Sequence, residues 1–155
     1  MKQIGILFGI LFISICLIVT GCGKKVLTAE DFKIKLESYS YKVDMVAGLA
    51  TKENGLLKAL YASPNNKDNI RVWYFMYDTK DSATSAFDIK VKSLEDIKDS
   101  ASTTTKNDAD LITKYTFSNN DSYVTTTRID NTIITIEAGI NNKKNMDSLM
   151  SELGY

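Results

Sequence analysis

Residues 70–77 read IRVWYFMY, and both alternating faces are apolar: Val72, Tyr74 and Met76 point one way, Trp73, Phe75 and Tyr77 the other. A strand half-exposed to water needs only one apolar face. One with two belongs in the middle of a sheet, covered on at least one side by helices. Just before it, SPNNKDN at 63–69 holds the only proline of the chain and is a turn cluster. Leu56 to Ala62 and Ile70 to Tyr77 are therefore expected to form a hairpin.

Working outward, Asp78 is expected to cap a helix ending near Ile97, with Asp81 as the capping-box acid. Its apolar stripe would be Ala83, Ala86, Phe87, Val91 and Leu94. Upstream, Thr28-Ala29-Glu30-Asp31 is a capping-box variant. It precedes Phe32, Leu36 and Tyr39 at helical spacing, and a strand is expected from Tyr41 to Val46. Downstream, DSASTTTKNDAD at 99–110 lacks apolar periodicity and is expected to be a mobile surface loop.

Leu111 to Ala138 is expected to be a three-stranded meander. A turn at Asp130-Asn131 sets Tyr123, Thr125, Thr127 and Ile129 on the same face as Thr132, Ile134, Ile136 and Ala138. Leu111, Tyr115 and Phe117 are expected on that face too, which needs an odd loop or a bulge, and SNNDS at 118–122 fits. Arg128 and Glu137 fall on the opposite face, where a solvated charge pattern is expected. Met146, Leu149, Met150 and Leu153 then mark a last helix, stopped at Gly154. The sum is an α+β domain: an antiparallel sheet, made of a hairpin plus a three-stranded meander, packed with about three helices. LESYSY and MSELGY share a Leu-to-Tyr ending, which raises the alternative of a duplicated half.

The N-terminus has a different character. Lys2 precedes an almost wholly apolar run, Ile4 to Thr20, with small residues before Cys22. That is the order of a secretory signal, and the run lies at the short limit of about 17–25 residues for a membrane-spanning helix. Val19-Thr20-Gly21-Cys22 resembles the lipobox of bacterial lipoproteins. The resemblance implies that residues 1–21 are a signal peptide and that Cys22 is diacylated on sulfur and becomes the new N-terminus. It further implies anchorage at the extracytoplasmic face of a bacterial membrane. Two acyl chains hold a protein stably where one does not, and Lys24 and Lys25 would add attraction to anionic lipid. Residues 22–27 would be a short tether and 28–155 a single domain held close to the lipid.

Composition narrows the chemistry. There is no histidine, and both cysteines, Cys16 and Cys22, lie in the N-terminal segment. The mature domain thus lacks a disulfide, a thiolate nucleophile, Ser-His-Asp or Cys-His catalysis, and His- or Cys-ligated zinc. Nineteen basic and nineteen acidic residues give no basic excess for nucleic acid. The aspartates form no EF-hand loop and the glycines no phosphate loop, so neither a cofactor nor a metal is expected. Trp73 is expected inside, between the sheet and the helix after Asp78, with Phe87 as its neighbour; its second reading, with Tyr77 and Arg128, is a ligand contact.

The capped first helix, the aromatic strand, the DTKDSA helix start and the terminal LGY resemble small uncharacterised bacterial lipoproteins, a likeness that brings no activity with it. The expectation is a non-enzymatic binding or accessory module for an envelope protein or cell-wall component. The second reading is a carboxylate-dependent hydrolase of envelope glycan.

Overall fold

The computed structural model describes residues 26–49, 54–65, 69–109 and 112–155. Val19, Thr20, Gly21 and Cys22 lie outside them, as does Leu111. The chain runs α1 (Ala29–Ser38), β1 (Tyr41–Met45), β2 (Leu56–Pro64), β3 (Arg71–Tyr77), α2 (Lys80–Asp96), β4 (Thr103–Ala109), β5 (Ile112–Ser118), β6 (Ser122–Ile129), β7 (Thr132–Gly139), a 3-10 turn and α3 (Lys143–Glu152). All seven strands join one antiparallel sheet, ordered β1-β2-β3-β7-β6-β5-β4. The fold is α+β, with helices on both faces. Among the described residues no helix is long and apolar enough to cross a membrane.

β3 is central, as its two apolar faces require. Its Val72 and Tyr74 join Ile134 and Ile136 of β7 in a core closed by Phe32 and Leu36 of α1 and by Met146, Leu149 and Met150 of α3. On the other face, Tyr77, Ile133, Val124 and Phe117 pack with Ala83, Phe87 and Leu94 of α2. α1 and α3, the two helices with the shared Leu-to-Tyr ending, pack on the same face of the sheet.

Local chemistry sets the helix ends. The Thr28 hydroxyl accepts from the Asp31 amide at 3.1 Å, the expected cap. Tyr39, expected on the buried stripe, is instead the C-cap residue and is exposed. The cap of α2 is Thr79, which accepts from the Ser82 amide at 3.1 Å, and not Asp78. Asp78 is held in the preceding turn, its amide donating to the Gly55 carbonyl at 2.8 Å.

Gly55 has φ +66°, and a Cβ there would sit 2.5 Å from Asp78 Oδ1 and 2.7 Å from Ser82 Oγ. Gly55→Ala is therefore expected to cost at least about 1–3 kcal/mol of stability, from left-handed strain with the clash added. A urea midpoint equal to wild type would refute the crowding.

The meander follows the expected register between β6 and β7: Tyr123 opposes Ala138, Thr125 opposes Ile136, Thr127 opposes Ile134 and Ile129 opposes Thr132. Two expectations fail. Tyr115 and Phe117 do not share that face, because the connection from Ser118 to its partner Tyr123 is even in length. They oppose Thr126 and Val124 and face α2. Residues 103–109, expected to be loop, form edge strand β4 on β5. Its polar residues show no apolar alternation because an edge strand of this kind has little to bury, and its threonines suit a strand.

Candidate ligand-binding groove

α2 does not cover its face of the sheet evenly. It starts beside the C-terminal end of β3 and packs on β3, β7 and β6. Its far end is pinned toward β5, where Leu94 joins Phe117 in the core and the Tyr115 hydroxyl donates to the Glu95 carboxylate. Burial and then that carboxylate push the Tyr115 pKa up to about 12. The aromatic surface of β2 and β3 is thereby left partly open beside the helix.

The result is a groove of about 450 Å³ between α2 and the sheet, within the range of about 300–1,000 Å³ usual for small-ligand sites. Trp73 and Phe75 form one wall, Ile133 and Thr135 of β7 the floor, and Ile89 and Lys90 of α2 the opposite lip. Trp73 and Phe75, two residues apart on one face of the strand, hold their rings parallel within 5° at 5.9 Å between centroids. Tyr61, directly across from Trp73 on β2, adds a third ring at 4.7 Å and a 55° tilt. Tyr77 lines the inner end and is buried, which raises its pKa.

Glu137 closes the polar end. Lys90 Nζ donates to it at 2.9 Å, and Arg71 lies 3.8 Å from its second oxygen. Beyond this junction lies a second, more polar depression of about 540 Å³, which shares Lys90, Ser93 and Glu137 with the first and is also lined by Asn69, Arg71 and Asp121.

The expected position of Trp73 needs correction. It lies on the α2 face but is only half-buried, and its ring partners are Tyr61 and Phe75. Phe87 is fully buried in the core. Of the three contacts proposed from sequence, Trp73 and Tyr77 meet in the groove, whereas Arg128 sits two strands from β3, beyond Ile133.

Nor is Arg128 part of a solvated charge pattern. It is 7% exposed, donating to Thr113 Oγ1 at 3.1 Å and the Asp130 carbonyl at 3.2 Å. Glu137 is likewise part-buried and salt-bridged to the helix and to β3. Arg128 and Glu137 were expected in water because nothing in the alternation of the meander reveals that the helix covering β3 also extends over β7 and β6.

No family model, curated protein or solved structure matches this chain. The groove must therefore be read from its own chemistry. Among its described lining residues Glu137 is the one acid, and it serves two cations. Cleavage of a glycan with retention would need a second carboxyl about 5–5.5 Å away, and with inversion one about 6.5–9.5 Å away. Among the described residues no cluster of acids could hold a metal ion.

Sequence reasoning passed over Ile89 and Lys90. Ile89 did leave a signal: it lies off the apolar stripe of α2 and is 71% exposed at the lip of the groove. Lys90 left none, since a lysine on a polar helix face is ordinary.

Proposed function

We propose that the protein is a bacterial lipoprotein, anchored through diacylated Cys22 at the extracytoplasmic face of the membrane. Its α+β domain acts there as a non-enzymatic binding module for an envelope component. The observation that supports the binding role is the groove: stacked, partly exposed aromatic rings beside a helix, with a few polar groups gathered at one end. Folding alone would favour covering such rings, and their partial exposure is what a ligand surface needs. An anchor at Cys22 with a short tether would hold this groove near the membrane.

Trp73→Ala tests the role. Because Trp73 is only half-buried, the substitution is expected to cost less than about 2 kcal/mol, against about 3–5 for a fully buried aromatic such as Phe87. Full-length protein purified from its own membranes should carry a co-purifying small molecule, detected by native mass spectrometry, that Trp73→Ala loses while still folded. If both proteins retain the same molecule, or neither retains any, the groove is not the binding site.

A further inference from the structure

We propose that the groove takes a small amphiphilic anion, its apolar body laid against Trp73 and Phe75 and its carboxylate held between Lys90 and Arg71. This rests on the reading of the groove as a ligand site and adds the class of ligand.

The walls call for an apolar body: Trp73, Phe75, Ile89 and Ile133 surround it, and such a surface gains free energy in proportion to the apolar area it removes from water. The junction calls for an anion. Two cations converge there on one carboxylate, Lys90 at 2.9 Å and Arg71 at 3.8 Å, leaving one positive charge unmatched among the described residues. Most of their capacity to donate is also unspent among the described residues. An ammonium has three donors and a guanidinium five; among the described residues, Glu137 is the hydrogen-bond partner of Lys90, and Arg71 meets it only at ion-pair distance.

Lys90 and Glu137 are about one-third exposed or less on their side chains, so salt screens them less than a fully solvated pair. The two features are also joined in space, because Lys90 and Glu137 line the apolar groove and the polar depression alike. The anionic group belongs at this junction, short of the far depression that Asp121 lines.

The test uses the full acylated chain in neutral phosphatidylcholine vesicles, where Trp73 is the only tryptophan and reports directly from the groove wall. Decanoate, decyl glucoside and decylammonium are titrated below their micellar concentrations, alongside a soluble cell-wall glycan fragment. Decanoate is expected to shift Trp73 emission to the blue and shield it from acrylamide saturably, about tenfold or more below the concentration needed for decyl glucoside. Decylammonium should be weaker still. Lys90→Met, which keeps the stem of the side chain, should erase the preference for decanoate, and Lys90→Arg should retain it.

If decanoate and decyl glucoside titrate alike, or Lys90→Met keeps the preference, the anionic assignment is wrong while the groove remains a ligand site. A response to the glycan fragment alone would overturn the amphiphile in the same way. Silence from all four probes would overturn the amphiphile and the groove reading together.

Discussion

Tyr74→Ala is expected to lower the unfolding free energy by about 3–5 kcal/mol, a large share of the roughly 5–15 kcal/mol that holds a domain together. Tyr74 is completely buried at the centre of the sheet, between Leu60 of β2 and Ile134 of β7. Its ring lies 5.2 Å from that of Phe32, and its hydroxyl donates to the Leu27 carbonyl at 2.9 Å, tying the segment ahead of α1 to the sheet. Alanine would leave a cavity under α1 and remove that tie. Tyr74→Phe keeps the ring and strands the carbonyl, for about 1–3 kcal/mol. Urea denaturation of the two variants should rank them in that order; equal midpoints would mean the hydroxyl carries the whole effect.

The same burial sets an alkaline limit. Tyr74, Tyr77, Tyr123 and Tyr155 all have pKa values raised mainly by burial. Their folded values lie above the unfolded one, so their contribution is complete below about pH 10 and is lost as the pH rises through the folded values. Tyrosinate absorbance should therefore rise cooperatively with unfolding. A gradual rise at pH 10 without unfolding would show these hydroxyls to be open to solvent.

Cys22→Ser is expected to have an all-or-none effect. If Cys22 is the acylated residue, serine offers no sulfur for the diacylglycerol thioether. The variant should accumulate as an uncleaved precursor, and metabolic labelling with a fatty acid should lose its signal. On that reading anchoring would depend on the acyl chains, each buried methylene adding about 0.8 kcal/mol, and the two basic residues beyond the cysteine would not replace them. A Cys22→Ser protein that still incorporates label and matures at the wild-type size would refute the lipobox reading.

Particular residues show how far the sequence reached into the site. Trp73 and Tyr77 were legible because alternation in 71–77 places them on one face, and both line the groove. Whether Trp73 was covered was not legible. That depends on the angle at which α2 crosses the sheet, which is fixed at its far end by Leu94 and Glu95 meeting Phe117 and Tyr115 of a strand some twenty residues away. Lys90, Glu137 and Arg71 come from α2, β7 and β3, and no spacing in the chain predicts their convergence. Arg128 fails for the converse reason: its alternation was right, but the face assigned to water is roofed by the helix.

Local patterning determined by itself the elements whose signals are short-range: the Thr28 cap, the double-faced strand β3, the Asp130-Asn131 turn with its register, and the stripe of α3. Each of these rests on side-chain alternation or on hydrogen bonds within a few residues, so it is written in consecutive positions. Tertiary structure alone decided the rest. It made an edge strand of 103–109, because strand pairing can recruit polar residues that have no apolar face to bury. It turned Tyr115 and Phe117 toward α2, because one residue in the length of a loop reverses every side chain beyond it. And it left the aromatic groove open beside its unmatched positive charge, because where a helix comes to rest on a sheet is a balance of contacts between residues far apart in the chain.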